Sequence, residues 1–474
     1  MAEVRDKDNP DRVANMLKGK NLFITGGTGF LGKVLVEKIL RVIPDVGNIY
    51  LLIRVKKGKD PKQRIDEIFN SAMVPICGDV TSAELGISAE DRATLIEQVH
   101  FVFHCAATIR FDEPLKKAVL LNTRGTKYVL SLAEQMKEAL LREQFYPPPD
   151  DPHKIIKCVE LMEESVVESM TQRILKKAPN TYAYTKALAE GLVMEKQDTL
   201  PIIIARPSIV IPIWREPVPG WTDNINGPTG LLIGAGKGVI RTMWCRDSGY
   251  ADFLPVDIAV NALLLAAWNF YERGEREQKV YHLTSSSEYK VTWKEIIDLG
   301  RKIAERVPLN GVVWYPGGSM KNSRTHHLIA KFFFHTLPAY FLDAIIYMAG
   351  HKPLMVRIQD RISKGMEVFE YYANNQWDFC NDQIIKMRTV LNPVEFKRYV
   401  ISGEGLDLQE YFESCTHAAR VYILKEMPDT LPAAHRHIRR MWWVDKLFKL
   451  FLVFMLFYTI TSYSSTARYV TNSS

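Results

Sequence analysis

The stretch "NLFITGGTGFLGKVLVEKIL" (21–40) constrains this chain more than any other. A short apolar run ends at Thr25, glycines follow at 26, 27, 29 and 32, and a helical pattern begins at once. A strand that turns through glycine into a helix belongs to a βαβ unit with a parallel sheet. Glycine lets the backbone turn tightly and approach a ligand. The first helical turn adds unpaired amides and the positive end of a dipole. Thr25, Gly26, Gly27, Thr28, Gly29, Phe30, Leu31 and Gly32 are therefore read as the phosphate-binding turn of a dinucleotide site.

The same rhythm continues. Apolar runs at 48–54, 74–78, 100–106, 201–211 and 279–285 alternate with helical patterns as far as about residue 315. Runs without polar alternation suit strands covered on both faces. Past that point "KFFFHTLPAYFLDAIIYMAG" and "MVRIQDRISKGMEVFEYY" read as helices, and Ile358, Ile362, Met366 and Phe369 recur as a core stripe. The expected fold is α/β, a Rossmann-type doubly wound parallel sheet, with a smaller, mostly helical C-terminal domain and a C-terminal membrane segment. The boundaries are a lead at 1–18, the sheet domain at 19–315, the helical domain at 316–445, the membrane segment at 446–463 and a tail at 464–474.

Residues at the strand ends choose the nucleotide. An acidic residue after the second strand would grip a ribose hydroxyl, whereas a basic one accepts a 2′-phosphate. "LLIRVKKGK" places Arg54, Lys56 and Lys57 there, which points to NADPH. Asp79, followed by Val80, is set either to accept from the adenine amino group or to close a turn. In "TYAYTKALAE", Tyr182 and Lys186 stand one helical turn apart on one face. A free tyrosine titrates near ~10, and an adjacent ammonium stabilises its phenolate, so the pair suits proton transfer near neutral pH.

Together "TGGTGFLGK", "HCAATIRFDE", "NTRGTKYVL", "PNTYAYTKALAE" and "ARPSIV" resemble the extended short-chain dehydrogenase/reductases. More narrowly they resemble the insect-type fatty acyl-CoA reductases, as does "FEYYANNQWDFCND" later on. The resemblance implies NADPH-dependent reduction of a long-chain fatty acyl-CoA to a fatty alcohol, via an aldehyde. It assigns Tyr182 as proton donor and Lys186 as the residue that holds the nicotinamide ribose and tunes the tyrosine. Asn122 would maintain a proton-relay water, Ala106 and Ala107 would line the cofactor, and Pro207 would follow the nicotinamide pocket. "NGPTGLLIGAGKG" would border the substrate. The aromatic residues of 330–350 are read as core, with an acyl tunnel or a membrane-resting surface as alternatives.

One stretch departs from that pattern. The family continues from "NTRGT" into a central strand whose hydroxyl polarises the substrate carbonyl. Here the helix meets "FYPPPDDP" directly, and four of the residues between Met136 and Tyr146 are charged. Three prolines cannot donate to a ladder, which excludes a central strand there. "KIIKCVE" (154–160), with Ser165 and Ser169 downstream, could fill the slot but reads better as helix. The expectation is a reductase weakened or inactivated by a missing strand after Lys137. Alternatives are a cofactor- or lipid-binding relative without activity, or a shortened product of a reductase gene.

At the far end "LFKLFLVFMLFYTITSY" (447–463) is apolar and is preceded by Arg436, Arg439, Arg440, Lys446, Trp442 and Trp443. Basic residues beside a tryptophan belt fit a membrane face turned to the cytosol, at the endoplasmic reticulum or peroxisome. Membrane lipid is thus an expected partner, and a homodimer stays open. The net charge of +7 comes without a basic stripe carrying stacking aromatics, so no nucleic acid partner is expected. Six scattered cysteines fit free thiols, the histidines at 326, 327, 335, 435 and 437 lack partners at ligand spacing, and no nucleophile elbow of a serine hydrolase is present.

Overall fold

Continuous apolar runs become the buried strands of one sheet. The computed structural model describes residues 10–55, 73–136, 147–225, 227–274, 279–285 and 288–472. β1 (Leu22–Thr25), β2 (Ile49–Ile53), β3 (Met73–Cys77) and β4 (Phe101–His104) form a parallel sheet in the order β3-β2-β1-β4. β1 and β2 are buried along their whole length. The helix Phe30–Val42 follows the glycine turn, buries Val34, Leu35 and Ile39, and stops before Pro44.

Among the described residues the sheet ends at β4. β5 (Ile204–Pro207) pairs in parallel with the strand Val280–Leu283 in a separate two-stranded sheet. β6 (Ile209–Ile211) pairs with Phe253–Pro255. Among the described residues no strand joins β4 to β5, and both flanks show it. Only Phe103 is buried in β4, and no residue is buried in β5. The segment 137–146, on which the missing-strand expectation falls, lies outside the described residues, as do Lys56 and Lys57.

Helices fill the sequence between the fragments. "KIIKCVE" lies in the helix Pro152–Leu161, and Ser165 and Ser169 lie in the helix Glu164–Leu175. Asp151 caps the first of these, accepting from the amides of His153 at 2.9 Å and Lys154 at 3.1 Å, with proline at the tolerated first position. Just upstream, the proline run docks on the helix Thr181–Lys196. The ring of Pro148 stands so close to Gly191 that an added Cβ would meet it at 2.9 Å, and Asp150 accepts from the hydroxyl of Tyr184 at 2.8 Å. These helices bury Leu115, Val119, Ile156, Val167, Leu188 and Leu192 against one another.

The chain forms two compact units whose sequences interleave. One comprises 1–217, 252–290 and 377–405; the other comprises 218–251, 291–376 and 406–474. The second is mostly helical, with Pro228–Gly236, Trp293–Arg306, Arg324–Met348, Met355–Asn374 and Leu431–Asn472 as its main elements. Met366 is its buried stripe residue, while Ile358, Ile362 and Phe369 are half-buried. The aromatic residues of 330–350 are not core: Phe333 is 55% exposed, Phe341 65% and Tyr347 72%. Arg324–Met348 is also long and apolar enough to cross a membrane. The run expected to anchor the chain forms part of Leu431–Asn472.

Candidate active site

The glycine turn and the end of β4 are built into each other. Gly26 has φ +73°, and a Cβ there would stand 2.7 Å from the backbone of Cys105 and Ala106. At Gly32 it would lie 2.2 Å from the carbonyl oxygen of Gly26. These two glycines are thus steric requirements of a turn that hugs both its helix and β4. Gly29 caps that helix with no side-chain bond to its first amides, the arrangement a pyrophosphate needs. The residues fit a dinucleotide.

Hydrogen bonds fix the neighbouring groups in one state. Thr126 donates its hydroxyl proton to the carbonyl of Asn122 at 2.7 Å, so its oxygen accepts from Nε2 of His104 at 3.1 Å. His104 Nδ1 must then accept from the hydroxyl of Thr25 at 2.6 Å, leaving that oxygen to take the amide of Ala106 at 3.4 Å. Burial and the charge of Lys186 push the His104 pKa down to about 3, so it is neutral here. Burial pushes the Cys105 thiol up to about 11, which removes it as a nucleophile.

Tyr182 and Lys186 sit on the helix Thr181–Lys196, whose start is clamped to the loop after β4. Asn180 caps it, accepting from the amide of Ala183 at 2.8 Å, and Thr181 donates to the carbonyl of Glu113 at 2.9 Å. The Tyr182 ring meets Phe111 edge-on, with centroids 5.3 Å apart. Burial pulls the Lys186 ammonium below the usual lysine range, with Glu190 and Cys105 opposing it.

Asn122 lies in a single π-turn (Val119–Arg124), a geometry frequent at functional sites. Its amide donates to Thr185 Oγ1 at 3.0 Å and to the carbonyl of Thr108 at 3.3 Å, while its oxygen accepts from the Thr108 amide at 2.9 Å. Asn122 therefore staples the loop after Ala106 and Ala107 to the residue preceding Lys186. At the other end, Glu190 holds Arg206 of β5 through two bonds of 2.9 and 2.6 Å, and Arg206 reaches His282 at 3.1 Å. One helix thus bridges both sheet fragments. Pro207 follows Arg206 at the exposed end of β5.

Sequence reading did not find Thr108, Thr185, Glu190 or Arg206 as members of this frame. Their only signal was position, inside or beside quoted motifs. Arg54 is exposed at the end of β2. Asp79 closes a turn, accepting from the amide and the hydroxyl of Thr81 at 2.9 Å each, and Val80 packs against Gly125. Among the described residues no strand brings a hydroxyl from between β4 and β5 towards Tyr182.

Known proteins resemble this chain. Two family models described as male sterility protein, the first a NAD-binding model, match residues 24–263 and 334–426. The chain is 36% identical over 487 residues to fatty acyl-CoA reductase 1 of Rattus norvegicus, covering 96% of this chain and 95% of the relative. It is 35% identical over 469 residues to fatty acyl-CoA reductase wat of Drosophila melanogaster, covering 92% and 90%. The terminal R domain from the myxalamid PKS-NRPS biosynthetic pathway superposes with a TM-score of 0.54 at 18% identity, over 87% of this chain and 92% of that one, which speaks for the fold alone. The rat alignment spans 487 positions, whereas 96% of 474 residues is about 455, so about thirty positions of the relative have no counterpart here.

Proposed function

Because this chain belongs to the fatty acyl-CoA reductase family, we propose that it reduces a long-chain fatty acyl-CoA to the fatty alcohol with NADPH, at a rate depressed by its interrupted sheet. The observation that carries this reading is the staple from Asn122 to Thr185. It fixes the Tyr182–Lys186 helix against the loop that also lines the glycine turn. When bound, the nicotinamide supplies hydride to the acyl carbonyl. Tyr182 donates a proton to the developing alkoxide, and Lys186 holds the ribose and stabilises the tyrosinate left behind. The first product, a thiohemiacetal, expels CoA as the thiol. The resulting aldehyde would take a second hydride from a second NADPH, with Tyr182, reprotonated in between, supplying the proton that completes the alcohol. Arg54 supports a 2′-phosphate on the cofactor.

A missing donor at a site of this type costs about 10²–10³ in rate. The test incubates the purified protein with NADPH and a series of acyl-CoAs and measures alcohol. A version carrying the rat relative's segment after Lys137 is assayed beside it. The restored version is expected to be faster by about that factor. Equal rates would sink the proposal that the gap limits turnover. The interruption also supports a second reading, a family member that binds cofactor or lipid without turnover, or a shortened product of a reductase gene. Acyl-CoA-dependent NADPH oxidation separates the first of these, and an in-frame strand-coding exon at this point in the gene identifies the second. The proposed setting is the cytosolic face of an endoplasmic reticulum or peroxisomal membrane.

A further inference from the structure

The helix Arg324–Met348 is built inside out for a water-soluble element. Its buried positions are His327, Ala330, His335, Ala339 and Asp343, the polar and small members, at intervals of three to five, the five falling across the π-turn Phe332–Thr336. Phe332, Phe333, Leu337, Tyr340, Phe341 and Met348 face outward, each at least half exposed.

The buried polar groups are all turned to the protein. Asp343 accepts the amides of Leu354, Met355 and Val356 at 2.7, 2.7 and 2.9 Å. His335 Nε2 accepts from the amide of Arg241 at 2.9 Å, and His327 Nδ1 lies 3.2 Å from Thr242 Oγ1. No carboxylate is left on the outer face, which is flanked by Arg324 on one side and by Lys352 and Arg357 on the other.

The same residues tie this helix to Leu431–Asn472. The Arg241 guanidinium lies over the rings of Phe334 at 5.1 Å and Trp314 at 5.2 Å, and is 3.5 Å from Asp445. Asp445 is 2% exposed and also accepts from the Trp314 indole at 2.6 Å and from Lys449 at 2.5 Å. Directly after it, Leu447, Phe451, Phe454 and Phe457 are exposed. Two outward apolar surfaces thus meet at one buried ionic lock.

We propose that Arg324–Met348 is a second membrane-contacting element, lying along the headgroup–acyl boundary of a phospholipid bilayer with its aromatic face in the lipid. The lock of Arg241 and Asp445 would set it in register with the C-terminal helix. Apolar side chains spread over more than one stripe suit a fluid phase, whereas a protein groove would take a single stripe. Basic residues at both ends match anionic headgroups, and the inward polar stripe keeps the helix against its own body rather than across the membrane. The inference is independent of the reductase chemistry.

The test places the full-length protein in phosphatidylcholine–phosphatidylserine vesicles carrying a photoreactive group on the acyl chain, and maps adducts by mass spectrometry. Adducts are expected on 332–348 as well as on 447–458. Replacing Phe333 and Phe341 by Glu should abolish the first set and leave the second. Adducts confined to 447–463 would overturn the proposal. So would cross-links that join 332–348 of one copy to the same segment of another, because the face would then be covered by protein.

Discussion

His104 shows how a single side chain in the site links to the stability of the fold. Its folded pKa is about 3, depressed by burial and by Lys186, while a free histidine titrates near ~6.5. Between those values the unfolded chain binds a proton that the folded one refuses. Stability is therefore complete above pH ~6.5 and declines as pH falls towards the folded value, by about 1.4 kcal/mol per unit. Urea unfolding at about pH 7.5 and about pH 5.5 should show this loss, and His104→Gln should remove roughly that increment from it. An equal fall in both proteins would rule the linkage out. Gly191 offers a second check. Alanine there gains about 1 kcal/mol of helix propensity, but its Cβ meets the rigid Pro148 ring at 2.9 Å, and overpacking costs about 1–3 kcal/mol. Gly191→Ala should thus lower unfolding stability; a gain would mean that the proline segment yields. That Tyr182 and Lys186 share one helix was legible because a four-residue spacing puts both on one face. Asn122 came from family resemblance, and Thr108 and Thr185 were not found, because a staple depends on where a loop folds back.

The strands were legible for a different reason: a run such as "NIYLLIR" has no polar position to offer solvent, so it must be covered. The same logic misleads at 330–350, because lipid and protein core select the same side chains. Polar residues do recur in and beside that apolar run, at His327, His335 and Asp343, but the π-turn Phe332–Thr336 lies between them and the regular helical period does not give their common inward face. The break between β4 and β5 has its own consequence. Among the described residues each strand has a hydrogen-bonded partner on one side only, and every side chain of β5 is at least partly exposed where a doubly wound sheet would bury it. Amides of Phe101–His104 and Ile204–Arg206 should therefore exchange with deuterium faster than those of Leu22–Thr25. Inserting the relative's segment after Lys137 should slow them. Uniform protection across all three strands would show that the edges are covered.

At the scale of the whole chain, the question is whether binding survives where turnover is weak. The glycine turn, the loop after β4 and the Tyr182 helix are held by bonds that do not involve the interrupted region. The helix is also tied to β5 through Glu190 and Arg206, which spans the gap without filling it. Cofactor affinity should consequently be retained while the chemical step suffers. A ligand that binds only the folded chain stabilises it by about 2.7 kcal/mol at a hundredfold excess over its dissociation constant. Thermal unfolding of the full-length protein should shift upward with NADPH. It should shift less with NADH at the same concentration, if Arg54 takes a 2′-phosphate, and Arg54→Asp should reverse that order. Absence of any shift would mean that the break has reached the dinucleotide site as well. A shift without acyl-CoA-dependent NADPH oxidation would favour the binding protein over the slow enzyme. A shift accompanied by alcohol, formed slowly and accelerated by the inserted segment, would locate the defect in the carbonyl-polarising donor alone.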